Sequence, residues 1–234
     1  METKHTKGIR NSLRNILAAG IIGLAGLVQT ATAEEKKPVE IRTTGDVTYF
    51  IGGEAESGAQ TSYLQIDHST SFPYNFKVSG FMDLYEDGNG YFGKTIVEKG
   101  LAGRLNFRGH IVHIDDPFSQ AGFGLSYALP TPKGTYAKVG YLPFFLDSEG
   151  QHMDHKQALC FGAGVDLAKD VTLSAFGEMN VAAEKGPQWS YGEIELAKKF
   201  GKHLSVGANL QLNCQGPGEE APEVVPRLSL RYRF

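Results

Sequence analysis

The final eight residues, RLSLRYRF, alternate without exception: Leu228, Leu230, Tyr232 and Phe234 fall on one side of an extended strand, and Arg227, Ser229, Arg231 and Arg233 on the other. Successive side chains of a β-strand point to opposite faces, so this is a strand with one apolar and one polar side. Just upstream, LSVGANLQLNC sets Leu204, Val206, Ala208, Leu210, Leu212 and Cys214 against Ser205, Gly207, Asn209, Gln211 and Asn213. Residues 118–130, 157–167 and 171–182 follow the same rule, and weaker versions occupy 46–54, 60–69, 75–85, 91–98, 101–114, 134–146 and 188–199. That gives twelve segments, most of them 9 to 14 residues long.

Ordinary soluble strands run to about five or six residues, whereas a tilted crossing of a bilayer needs about 9–11. The segment count is even, and the connections alternate in length. Residues 215–222, 183–187, 147–156 and 86–90 make the longer set; 200–202, 168–170, 131–133 and 99–100 make the tighter set, and 115–117 is a short exception among the outer connections. Long loops at one end and tight turns at the other are the arrangement of outer-membrane barrels. The pattern therefore predicts an all-β, antiparallel up-and-down transmembrane β-barrel of about 12 strands, with ten as the alternative count. A soluble exported β-sandwich also alternates, but its second face has no need of so much Gly and Ser. Pro143 fits neither well, because it removes a donor from within a strand.

The N-terminal residues bear on location. Lys4, Lys7, Arg10 and Arg14 precede an uninterrupted apolar run, Ile16 to Val28, of 13 residues. The run is too short to span a bilayer as a helix and suits a signal-peptide core; Ala31-Thr32-Ala33 supplies a cleavage site. The expected organisation is a cleaved signal over 1–33, a periplasmic segment over 34–45 and the barrel over 46–234, delivered to the bacterial outer membrane by Sec-type export. Removing the leader takes four basic residues and one acid from the totals of 23 and 26, leaving 19 Lys+Arg against 25 Asp+Glu, a net charge of about −6. That balance argues against a nucleic-acid partner. The two cysteines, Cys160 and Cys214, show no C-x-x-C or Cys/His metal spacing. By parity they face opposite sides three strands apart, so two free thiols are expected.

One stretch points elsewhere. GNGYFGKT, residues 88–95, matches the phosphate-loop pattern G-x-x-x-x-G-K-[ST] letter for letter. Such a loop needs a continuous apolar strand before it and a helix after it. Here the preceding segment alternates and contains Asp83, and a following helix would carry Gly100 and Gly103 at about 1 kcal/mol each. A Walker B look-alike, Ile111-Val112-His113-Ile114-Asp115, is interrupted by His113. The stretch reads instead as an outer hairpin loop with Asp87-Gly88-Asn89-Gly90 supplying the turn.

If the apolar parity faces lipid, the other parity lines the lumen. The candidate solute-binding residues are Lys77, Phe81, Asp83, Tyr85, Arg104, Phe176, Glu178, Tyr191, Glu193, Glu195, Arg227 and Arg231, with Glu98, Lys138, Asp166, Lys199 and Arg233 on the same face. Charges there are mixed, so no strong ion selectivity follows; interior ion pairs bracing the strands and a solute-binding constriction are both open.

The stretch FKVSGFMDLYEDGNGYFGKTIVEKGLAGRLN, residues 76–106, resembles the second quarter of the nucleoside-specific, Tsx-type channel family. The shared features are an aromatic-rich strand ending in G-F-x-D-x-Y, a Gly/Phe loop, then a strand with an acid and a later Arg. The resemblance implies a monomeric outer-membrane channel, with Phe81, Asp83 and Tyr85 able to stack on and hydrogen-bond a nucleobase or sugar. A terminal Phe behind alternating apolar residues also resembles the assembly signature of such barrels, which implies the barrel-assembly machinery as a partner through the strand ending in Phe234.

Two competing chemistries have candidates. A lipid hydrolase would set a Ser and a His on the outside of the barrel, and His68-Ser69 is the nearest pair, yet adjacent strand residues face opposite ways. His152-Met153-Asp154-His155 in the longest outer loop offers His-x-x-His and an Asp, but no helix sets the spacing, and a solvated polar loop is the simpler reading. The expectation is thus an outer-membrane channel or binding barrel for small polar solutes, nucleosides included, contacting membrane lipid and using no cofactor, metal or catalytic residue. A non-conducting structural or adhesive barrel is the alternative.

Overall fold

The computed structural model describes residues 40–52, 62–85, 91–114, 119–182, 186–212 and 223–234. The expected signal peptide, residues 86–90 of the expected outer hairpin loop and Cys214 lie outside the described residues. Twelve strands form one closed antiparallel barrel: β1 (Arg42–Gly52), β2 (Tyr63–Phe72), β3 (Phe76–Tyr85), β4 (Tyr91–Ala102), β5 (Leu105–Ile114), β6 (Ser119–Ala128), β7 (Thr135–Leu146), β8 (Ala158–Ala168), β9 (Val171–Asn180), β10 (Gln188–Phe200), β11 (Leu204–Leu212) and β12 (Val224–Arg233). Each strand pairs with its sequence neighbours, and β1 closes on β12 in the register Asp46↔Arg233 through Gly52↔Arg227. Closure leaves no unpaired strand edge, the condition for a sheet to sit in hydrocarbon.

Strand lengths run from 9 to 13 residues, enough for a tilted crossing. The outward parity carries Leu125, Tyr127, Leu159, Phe161, Leu196, Leu228 and Leu230, all exposed. Burying such side chains against water would require a second layer; facing lipid, the belt needs none, which makes this a membrane-type barrel. β1 starts at Arg42, four residues before the expected edge of the barrel at 46.

The β4–β5 connection differs from expectation. The turn is Gly103-Arg104, with Gly103 at φ +56°, rather than residues 99–100. Gly100 lies within β4 at a register shift, where a Cβ would meet the Asn75 side chain at 2.8 Å. A glycine read as a turn is here a bulge, which also marks close approach. Pro143 is accommodated in the same way. The β6–β7 register shifts between Phe123 and Leu125, opposite Tyr141 to Phe144, so Pro143 stands where the ladder is already interrupted.

Strand ends joined by 73–75, 103–104, 169–170 and 201–203 define one rim, and the ends joined by 53–62, 147–157 and 213–223 define the other. By the same length rule, an outer-membrane placement makes the first rim periplasmic and the second external, and the rims carry those names below. Residues 147–157 fold back onto the external mouth. Met153 N–H donates to the Phe145 carbonyl at 2.9 Å, and its side chain packs on the buried cluster of Leu142, Phe145, Ala158 and Cys160.

Candidate functional site in the barrel interior

The registers put Asp46, Thr48 and Phe50 of β1, Tyr63, Gln65 and Asp67 of β2, and Phe81, Asp83 and Tyr85 of β3 on one continuous inner face. The face continues through Phe92, Lys94 and Glu98 of β4, Arg108 and His110 of β5, Cys160 of β8, Phe176 and Glu178 of β9, Tyr191, Glu193 and Glu195 of β10, and Arg227, Ser229 and Arg231 of β12. Acids and bases are matched nearly one for one, and most are paired.

In the external half of the barrel, the interior is crossed. Lys94 Nζ donates to Glu178, joining β4 to β9, which lie on opposite walls. Beside this bridge, the rings of Phe81, Phe92, Tyr191 and Phe176 form a run with centroid separations of 5.8, 6.5 and 5.7 Å, again from β3–β4 to β9–β10. Phe176 is 40% exposed although it faces inward, so its ring borders open interior.

To one side of this crossing stands a buried polar cluster. Arg227, 3% exposed, donates to Glu193 Oε1 at 2.6 Å, to Asn209 Oδ1 at 2.8 Å and to the Tyr63 hydroxyl. Its guanidinium lies 4.3 Å from the Phe50 ring centroid and 4.9 Å from that of Tyr63. Glu193 also accepts from Asn209 Nδ2 at 2.8 Å and from the Tyr191 hydroxyl. Next to it Asp83 accepts from Gln65 Nε2 at 2.7 Å, and Tyr85 meets Tyr63 edge to face at 6.0 Å. Desolvated charges need this degree of satisfaction, since an uncompensated one costs several kcal/mol.

Nearer the middle, Glu98 takes Arg108 at 3.1 Å, Lys138 at 2.6 Å and the Ser126 hydroxyl at 3.0 Å. Glu195 takes Ser229 at 2.7 Å and Arg231 at 2.9 Å, and Arg231 Nε also donates to the Thr48 hydroxyl at 3.1 Å. Towards the periplasmic rim the inner face opens: Lys77, Asp166, Lys199 and Arg233 are exposed.

Of the twelve residues singled out from sequence, eleven stand on the inner face, and the twelfth, Arg104, stands exposed in the Gly103-Arg104 turn at the rim. The structure brings Glu193, Tyr191 and Arg227 together, and Glu195 with Arg231; Lys77 is far from these, opposite Glu98 and Ser71. Sequence reasoning passed over Tyr63, Gln65, Asp67, Lys94, Arg108 and His110. Leu64 and Ile66 outside against Tyr63, Gln65 and Asp67 inside was the available signal for β2. Lys94 falls both in the GNGYFGKT motif and in the expected strand segment 91–98, and Gly93-Lys94-Thr95 lies within β4 with a strand on either side, not at a helix start. Ser69 faces inward and His68 outward, so the adjacent pair does not converge. In the external loop, His152 contacts Asp154 at 2.8 Å and stacks on Phe144 at 4.6 Å, while the His155 carbonyl accepts from Asn180.

No family model matches the chain, and no curated protein matches it. Solved structures do. A KdgM porin captured with disordered oligogalacturonate superposes with a TM-score of 0.54 at 10% identity, covering 82% of this chain and 99% of that one. An outer-membrane channel from Pseudomonas putida F1 covers 86% of this chain and 97% of its own, with a TM-score of 0.42 at 9% identity. At this level of identity, what the chain shares with the first of these is the barrel fold of outer-membrane porins.

Proposed function

We propose that this protein is a bacterial outer-membrane barrel that binds or passes small, uncharged or zwitterionic polar solutes, nucleosides among them. The observation that carries the proposal is the inner aromatic run Phe81–Phe92–Tyr191–Phe176 lying beside the hydrogen-bonding groups of Asp83, Glu193 and Arg227. Flat rings next to a few fixed polar groups suit a solute with one planar and one hydroxylated part. The near balance of inner acids and bases argues against a polyanion such as the oligogalacturonate bound by the KdgM porin; a polyanion path would need unmatched Arg and Lys.

The sealed alternative has its own support in the Lys94–Glu178 bridge and the Arg227 cluster, which fill the external half. Single-channel recording in a planar bilayer separates the two. Discrete openings reduced by added nucleosides, with the block weakened in Phe176→Ala and Phe81→Ala, are expected. A folded, inserted protein that stays silent, both unaltered and as Lys94→Ala, would make the barrel non-conducting.

A further inference from the structure

The bridge between Lys94 and Glu178 borders a second feature that solute passage does not use. His110 of β5, Cys160 of β8 and Glu178 of β9 turn inward to one point, and their ligating atoms all lie within 4.8 Å of one another. Glu178 Oε2 stands 3.7 Å from His110 Nδ1 and 3.6 Å from Cys160 Sγ. All three side chains are buried, His110 at 1% exposure. Neither ring nitrogen of His110 has a hydrogen-bond partner among the described residues. A buried imidazole that makes no hydrogen bond costs about 1–3 kcal/mol, so this one stands in want of a ligand.

The surroundings hold the ring in place. Phe145 meets His110 edge on at 5.2 Å, and Gly122 leaves the room that both need: a Cβ there would lie 2.7 Å from the Phe145 ring and 2.8 Å from His110 Nε2. Met153 of the external loop packs against the cluster that contains Phe145 and Cys160.

We propose that His110 Nδ1, Cys160 Sγ and Glu178 Oε2 form a binding site for a divalent, thiophilic metal ion of the Zn2+ class. Bonds of about 2.0–2.3 Å in tetrahedral geometry place ligand atoms roughly 3.3–3.6 Å apart, within a few tenths of an ångström of the two separations above. A mixed sulfur, nitrogen and oxygen set suits Zn2+ and disfavours Mg2+ or Ca2+, which take oxygen. Three protein ligands leave the fourth position for water. Binding releases the Cys160 thiol proton to bulk solvent, because the thiolate is the ligand. The ion also competes with Lys94 for Glu178 Oε2, so occupancy and the cross-barrel bridge oppose each other.

The test is titration of the purified protein in detergent with Co2+, whose tetrahedral thiolate complexes absorb in the visible and near-ultraviolet. One Co2+ per chain with a thiolate charge-transfer band, displaced by Zn2+, is expected. The band should vanish in Cys160→Ser, weaken at least tenfold in affinity in His110→Gln, and persist in Cys214→Ser and in the His152→Ala/His155→Ala double variant. Lys94→Met should tighten binding about tenfold or more, a response that a merely structural role for the trio would not give. Absence of a thiolate band in the unaltered protein overturns the proposal without recourse to any variant. So does a band that survives Cys160→Ser, or one lost with the external histidines. None of these readouts depends on whether the barrel conducts.

Discussion

Arg227 is the side chain whose removal should reveal most about how this barrel is held. It is 3% exposed and donates to Glu193, Asn209 and Tyr63. Replacement by Met keeps most of the volume over Phe50 and removes the charge. Glu193 is then left as a buried carboxylate with Asn209 Nδ2 at 2.8 Å and two tyrosine hydroxyls, but without its cation. Breaking a buried pair in this way costs about 3–5 kcal/mol, and losing the stacked guanidinium adds about 1 kcal/mol. A destabilisation of about 4–6 kcal/mol is therefore expected for Arg227→Met. Adding Glu193→Leu removes the stranded charge and should recover about 2 kcal/mol or more, so the pair is coupled. The chain has one tryptophan, Trp189, placed on β10 next to Phe161, and its fluorescence reports unfolding in denaturant from lipid vesicles. A loss below about 1 kcal/mol for Arg227→Met, or strict additivity in the double variant, would refute the claim that this cluster braces the barrel.

Three further outcomes follow from the geometry. Lys94→Ala and Glu178→Ala each remove the bridge between β4 and β9, so single-channel conductance should rise in both; unchanged conductance in both would place the constriction elsewhere. Gly124→Ala should destabilise by more than about 1–3 kcal/mol, because its Cβ would lie 2.0 Å from the Tyr141 carbonyl oxygen, which is backbone. Gly162→Ala, whose nearest neighbour would be 4.0 Å away, serves as the tolerated control in the same denaturant titration. Leu228→Arg, mid-strand on the exposed apolar face, should cost about 2–4 kcal/mol in vesicles, and a neutral result would count against a lipid-facing belt.

The strands were legible because a sheet with lipid on one side and a polar interior on the other imposes a period of two on every crossing. RLSLRYRF and LSVGANLQLNC declare it outright, and both strands sit where the alternation puts them, at Val224–Arg233 and Leu204–Leu212. Turn placement was less legible: Gly100 and Gly103 are three residues apart, and only φ +56° at Gly103 tells the turn from the bulge. Partners across the interior were not legible at all. Parity says that Lys94, His110, Cys160 and Glu178 face inward, but not which wall faces which. That needs the closed order β1 to β12 and a register for every pair, because the four residues come from β4, β5, β8 and β9.

If the barrel conducts as proposed, the same residues carry both its stability and its permeability, which links the expectations above. Each strand is hydrogen-bonded only to its two neighbours, so the wall alone resists bending weakly; the Lys94–Glu178 bridge and the Tyr63–Arg227–Glu193 cluster join non-adjacent strands. Such braces must run through the space a solute would use. Variants that widen the path should therefore also lower the denaturant midpoint, with Lys94→Ala losing less than Arg227→Met because Lys94 is the more solvated of the two, at 15% side-chain exposure against 0%. A variant that raised conductance with no loss of stability would show that the bridge obstructs without bracing, and the interior would then be a path first and a scaffold second.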